Sequence, residues 1–376
     1  MKNNRRSFIK KGASLAALSM TGVGAALARP VQDEQAAPIR EVARDAGMQM
    51  CEAYFAGMQE QKIALAKQMD VLGAVGGINP RMVGMDNAKP WEYETIMAVK
   101  TAWEKAGLKL KVIEGPASLG EKTKLGLDGR DEEISNFITF MKNLSKAGID
   151  TICYNWMPVV SWFRTQNDRP GRGGALVTAF DWEKAKDLPL TPYGEVSKET
   201  LWKNLEYFLK AVVPEAEKAG IKLAMHPDDP QVDSIKGISR IMTNADAFRR
   251  LLKIYPSVNN GITMCQGNFA LMDPDIYPLI HEFGKQKKIH FVHFRNVRGG
   301  KLAFEETFHD EGIIDMYKAM KAYYDIGFTG PIRPDHTPTM AGDTNDFPGY
   351  SILGILYANG YIRGLMEAVS KNKPRV

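Results

Sequence analysis

Four short stretches of the sequence put a metal-ligating residue type at the end of an apolar run: His226 in LAMHPDD, Cys265 in TMCQG, His293 in FVHFRN and Asp335 in RPDH. Each alone has an ordinary reading, because a single histidine or cysteine in such a place is commonly a hydrogen-bonded or small buried side chain. Four at equivalent positions on successive runs point to one shared site. Two imidazoles, a thiolate and a carboxylate suit manganese, ferrous iron, zinc or cobalt, and disfavour magnesium and calcium, which take all-oxygen shells. The last stretch, GPIRPDHT, also packs Arg333 and His336 beside Asp335. Ionisable groups crowded at a buried strand end imply that something binds there. Asp228 and Asp229, directly after His226, are candidates to orient its ring.

Residues so far apart in the chain meet only if the fold collects strand ends. The apolar runs MDVLGAVGG, LKLKVIEG, IDTICYNW, IKLAMHP, GITMCQG, IHFVHFRN and GPIRPDH read as buried strands. Longer amphipathic segments such as EYETIMAVKTAWEKAG and EEISNFITFMKNLSKAG lie between them and read as helices. Strands alternating with helices imply a parallel sheet. The phrases KAGLKL, KAGIDT, KAGIKL and DIGFTG repeat a glycine stop between helix and strand. Seven such strands favour a (β/α)8 TIM barrel, whose sites are built at the carboxyl ends of the strands, with a doubly wound sheet as the alternative. The pattern does not place an eighth strand. Cys51, Cys153, His281 and His290 read as packing residues, while Trp156 and Trp162 suit either a pocket wall or the core.

Residues 1–28 read as an export signal, with a basic start, a weakly apolar middle and the small-residue end Ala26-Leu27-Ala28. Arg5-Arg6 before Ser7-Phe8-Ile9-Lys10 is similar to the twin-arginine class, so the expected partner is the twin-arginine export machinery and the expected location the periplasm. That route suits a protein that loads its metal in the cytoplasm. Residues 29–38 read as a polar linker and 39–376 as a single barrel domain. The net charge is +5, and the signal holds five basic and no acidic residues, so the remainder is near neutral. A neutral remainder argues against nucleic acid and anionic lipid as partners, and the short Gly-rich apolar stretch argues against a stable membrane anchor. A small molecule is the expected partner, with a homo-oligomer left open.

The strings CYNWMPVVSWFRT, LAMHPDDP, CQGNF, HFVHFRNV, FEETFHDEGIIDM, GPIRPDH and PGY, in this order from about residue 130 onward, resemble the mannonate dehydratases. These are metal-dependent lyases on a xylose-isomerase-like barrel. The resemblance implies that His226, Cys265, His293 and Asp335 hold the metal, expected to be Mn2+ or Fe2+. It implies that His336 and Tyr350 form the acid/base pair, and that Arg295 and His309 lie near a sugar-acid substrate; Arg333, which points the same way in the strand alternation as Asp335, is a candidate either to meet a substrate carboxylate or to form a structural salt bridge. The implied reaction removes water from D-mannonate or a related aldonate. One departure stands out: where the family carries paired histidines after its first strand, this chain has GAVGGINPRM. A metal-dependent sugar isomerase or epimerase, and a non-catalytic barrel that binds a sugar acid or metal, are the competing readings.

Overall fold

The computed structural model describes residues 46–372. The signal and linker expected at residues 1–38 lie outside them. Eight parallel strands close into a barrel: β1 (Gln49–Ala53), β2 (Gly73–Gly76), β3 (Lys109–Glu114), β4 (Thr151–Tyr154), β5 (Lys222–Met225), β6 (Asn260–Cys265), β7 (Ile289–Phe294) and β8 (Pro331–Pro334). Closure pairs Met50 of β1 with Ile332 of β8. The eighth strand is therefore β1, and GAVGGINPRM comprises the second strand, GAVG, and the turn that follows it, not a loop after the first. Among the described residues, no helix is long and apolar enough to cross a membrane.

The repeated glycine stops behave as their sequence requires. Gly107, Gly148, Gly220 and Gly327 take φ of +86, +75, +67 and +66°, a left-handed turn that ends a helix cheaply only without a Cβ.

Alternation along the strands sorts the barrel interior into layers. Cys51, Val75, Val112, Cys153, Ala224 and Phe291 pack together as a buried layer drawn from six strands. A step of two residues keeps a side chain on the same face of a strand. That step leads from Val112 to Glu114, from Ala224 to His226 and from Phe291 to His293. The apolar layer is thus a floor, and ionisable side chains stand on it at the carboxyl ends.

Two insertions shape the rim. Strands Gln166–Pro170 and Leu176–Asp181, after β4, join Val297–Gly300 and Ala303–Glu306, after β7, in one antiparallel sheet. A bridge between Leu176 and Thr339 ties this sheet to the chain after β8.

His290 lies buried on β7 between the carbonyls of Leu223 and Val258, and His309 is buried with Nε2 on Phe294 O at 2.6 Å. Burial pushes both imidazoles down to about 4. An unfolded histidine titrates near 6.5, so between about pH 6.5 and 4 the unfolded chain binds more protons and stability falls with pH. Each site contributes up to about 3 kcal/mol, present in full above that window. The melting temperature of metal-free protein should fall from pH 7 to pH 5, and His309→Gln, which cannot gain a charge, should flatten the slope. An identical slope in the variant would remove His309 from this account.

Candidate metal and acid–base site

The layer above the floor brings the four ligand types together. His226 Nε2 lies 3.2 Å from His293 Nδ1, His293 Nδ1 lies 3.5 Å from Asp335 Oδ2, and Cys265 Sγ lies 3.6 Å from the same oxygen. The nearest donor atoms of His226, Cys265 and His293 all fall within 4.8 Å of one another. Pro227 O, 2.7 Å from His226 Nδ1, is an acceptor that fixes the proton there and leaves the Nε2 lone pair facing the cluster.

Asp228 and Asp229 do not orient this ring. Asp228 Oδ2 accepts the backbone N–H groups of Ile241 and Met242 at 2.7 and 2.8 Å, while Asp229 is bound by Arg164 and Arg295.

The electrostatics prepare the donors. Burial alone would raise the Cys265 thiol, but the Arg295 guanidinium at 3.4 Å and the neighbouring imidazoles outweigh it and bring it down to about 7. Burial would likewise raise Asp335, yet Arg333 holds it well below the usual carboxylate range. Arg295 donates to Cys265 Sγ at 3.4 Å and Arg333 to Asp335 Oδ1 at 2.7 Å, yet Asp335 Oδ2, the thiol sulfur and two imidazole nitrogens still converge on one point, a mixed N, S and O donor set that fits a divalent transition ion.

His336 stands just beyond β8 in a left-handed conformation, φ +47°, which turns its ring back over the site. The ring stacks on Trp162 at 5.4 Å and 9° and meets Tyr350 edge-on at 5.4 Å. Its Nδ1 is buried without a hydrogen-bond partner. A Cβ on Gly349 would come within 3.0 Å of that nitrogen, so the PGY glycine is a clearance as well as a turn at φ +87°. Burial drives the His336 imidazole down to about 4, so it is neutral at pH 7. Tyr350 donates its hydroxyl to Asp335 Oδ1 at 2.8 Å, and burial together with that carboxylate keeps the phenol protonated.

These groups face a cavity of about 280 Å³ walled by Phe55, Asn155, Trp162 and Phe347 among others. A wider depression of about 670 Å³ lies at the opposite end of the barrel around Lys111 and Lys222, but among the described residues no ligand set converges there.

The three remaining candidates divide. Arg333 lines the cavity, but its N–H groups are taken by Asp335 at 2.7 Å and by Glu114 at 2.9 and 3.2 Å. Arg295 does not line it. It lies wholly buried behind Cys265, bound to Glu306 at 2.6 and 2.8 Å and to Asp229 and Asn268 at 2.9 Å. His309 is also absent from the cavity wall, its ring held on Phe294 O. Both were expected near the substrate; Arg295 lies beside the ligand Cys265 at 3.4 Å, and the hydrogen bonds of both side chains run to buried acceptors.

Sequence reasoning missed Glu114, which lines the cavity, and left Trp162 undecided. Trp156 turns out to be fully buried against Phe208.

A sequence profile described as D-mannonate dehydratase (UxuA) matches residues 48–192 and 183–375. The chain belongs to the mannonate dehydratase family. Mannonate dehydratase 2 of Halalkalibacterium halodurans is 38% identical over 352 residues, covering 86% of this chain and all of that protein. Mannonate dehydratase of Thermotoga maritima is 38% identical over 340 residues, 81% of this chain and 92% of the relative. The crystal structure of mannonate dehydratase from Streptococcus suis superposes with a TM-score of 0.76 at 36% identity, covering 86% of this chain and 94% of that one. A 3-keto-D-glucoside 4-epimerase from E. coli aligns with a TM-score of 0.54 at 13% identity over 84% of this chain and 99% of that one. That likeness shows the xylose-isomerase-like barrel and nothing about the reaction. Members of the family are hydro-lyases, and the fold expected from the alternating strands and helices is the fold observed.

Proposed function

We propose that the protein dehydrates D-mannonate, or a closely related aldonate, to the 2-keto-3-deoxy acid in a metal-dependent reaction. The observation that carries this reading is the shared carboxylate: Asp335 faces the ligand cluster through Oδ2 and holds the Tyr350 hydroxyl through Oδ1, with His336 next in the chain. One side chain thereby registers the ligands against both proton-transfer groups.

A divalent ion held by His226, Cys265, His293 and Asp335, Mn2+ or Fe2+ by donor softness, would offset the negative charge that develops beside the substrate carboxylate. The neutral His336 imidazole takes the proton from C2. The C3–O bond breaks, and Tyr350 gives its proton to the departing hydroxide, which leaves as water. The resulting enol tautomerises, taking a proton at C3 and losing one from its C2 hydroxyl; with the proton on His336 given up and the one missing from Tyr350 restored, both groups return to their starting states. Trp162 holds the base in place by stacking, and burial of the pair keeps each in the protonation state its step needs. A competing isomerisation needs no acid at a leaving hydroxyl, which is the position a protonated Tyr350 is suited to serve.

The test is turnover by reduced, Mn2+-loaded protein: D-mannonate should yield 2-keto-3-deoxygluconate, and a chelated control should not. Absence of product from folded, metal-loaded protein would send the reading to other aldonates, because GAVGGINPRM, which forms β2 and the turn after it, departs from the family pattern. The twin-arginine-like start supports action outside the cytoplasm on sugar acids released there. Recovery of the protein in the cytoplasmic fraction of the source cells would end that part of the reading.

A further inference from the structure

His293 is approached by donor groups from both sides of its ring. On the Nδ1 side stand His226, Cys265 and Asp335. On the Nε2 side stand Glu114 and Cys153, whose ligand atoms also lie within 4.8 Å of His293 and of each other. Two chemistries explain such a second cluster: a second cation bound there, or a device that holds the first set in place.

The charges decide between them. The space beside Glu114 already contains a cation, because Arg333 Nη2 and Nε donate to its two carboxylate oxygens at 2.9 and 3.2 Å. Arg333 thus occupies both oxygens of Glu114, whereas on Asp335 it takes only Oδ1 and leaves Oδ2 facing the other ligands, so the carboxylate free to join an ion is Asp335 and not Glu114. Cys153 is occupied differently, accepting the Thr263 hydroxyl at 3.2 Å. His293 Nε2, meanwhile, is a buried nitrogen with no well-aligned hydrogen bond, and Glu114 Oε2 faces it at 3.4 Å. A buried ring N–H of a metal-binding histidine ordinarily finds a carboxylate or carbonyl acceptor, which sets the tautomer and the ring angle.

We infer that Glu114 is a positioning residue for the ligand cluster, holding His293 through its Nε2–H so that the Nδ1 lone pair points at His226, Cys265 and Asp335. Glu114 ends β3 and His293 lies on β7, on opposite walls of the barrel, so the hold spans the interior. The same carboxylate reaches a second ligand indirectly. Arg333, fixed by Glu114, donates through Nη1 to Asp335 Oδ1 at 2.7 Å. One residue on β3 therefore sets the orientation of a nitrogen ligand on β7 and an oxygen ligand just beyond β8. The inference rests on the metal reading of the cluster proposed above, and its readout is binding and spectroscopy rather than turnover.

The experiment is metal binding by purified protein, with Mn2+ or Co2+ titrated against a competing chelator, for the wild type, Glu114→Gln, Glu114→Asp and Cys153→Ala. The wild type and Cys153→Ala should bind one ion per chain with equal affinity. Glu114→Gln should still bind one ion, but about 10- to 100-fold more weakly. In its Co2+ form the visible d–d bands should shift while the thiolate-to-cobalt band from Cys265 remains. Glu114→Asp keeps the charge that pairs with Arg333 but draws it back from His293, and should fall between the two. Thermal melts of the metal-free variants show whether they are folded. Should Glu114→Gln prove unfolded, the aspartate variant carries the test alone, and wild-type affinity and spectrum in it would overturn the inference. So would unchanged affinity in a folded Glu114→Gln. Two ions in the wild type, falling to one in both the Glu114 and Cys153 variants, would replace positioning with a second metal site. A wild type that binds no divalent ion overturns the metal reading itself, an outcome distinct from binding that is indifferent to Glu114.

Discussion

Replacing His336 with Gln should lower turnover of D-mannonate by a factor on the order of 10³, with bound metal still at one ion per chain. The ring's Nε2 stands 3.6 Å from Asp335 Oδ2, beyond hydrogen-bonding distance, so its loss leaves the hydrogen bonds of the cluster intact. What disappears is a neutral imidazole held in an αL turn between Trp162 and Tyr350, a base whose burial keeps it unprotonated down to about pH 4. Tyr350→Phe should have a comparable effect for the complementary reason, removing the acid without changing the shape of the wall. The two defects should not multiply, because the groups act on one substrate in concert. A loss of less than about tenfold in either variant, measured at saturating metal, would strip that residue of its assigned role.

The second large effect concerns retention of the ion. Cys265→Ser should weaken Mn2+ binding by more than about 100-fold, beyond what loss of a supporting residue causes. A serine hydroxyl at this position does not ionise near neutrality, whereas the Cys265 thiol, drawn down to about 7 against the effect of burial, does so readily. The same fact fixes a pH dependence. Below about pH 7 a proton competes with the ion for the sulfur, so affinity should fall as pH is lowered from 8 to 6. In the serine variant that part of the slope should vanish. Equal affinity in variant and wild type would mean that sulfur is not a ligand.

Much of this arrangement was legible before any coordinates. Regular alternation of apolar runs and amphipathic helices, with a glycine stop between them, specifies a parallel barrel because each signal is local. The meeting of His226, Cys265, His293 and Asp335 followed from one rule about strand ends. The missed strand had no such signal. Gln49–Ala53 carries Glu52, whose burial depends on Asn359 near the C-terminus and on nearby Lys62, partners that only the folded chain supplies. Glu114 was overlooked because LKLKVIE ends like a strand emerging into solvent. The partners of Arg295 were illegible for the opposite reason. Its position beside His293 suggested the cavity, but Glu306, the acceptor that draws it away, sits in an inserted antiparallel strand.

Closure of the barrel through β1 and β8 pairs opposite ends of the described chain, and the last strand leads directly into Asp335 and His336. Such long-range pairing forms late, since the loop it closes is nearly the whole domain. A chain stalled before β8 docks would hold its histidines and thiol but lack both the carboxylate and the base. The two histidines and the thiol could already hold an ion at that stage, but the fourth donor and the proton-transfer residue arrive only with the final strand, so chemical competence is the last property the fold acquires.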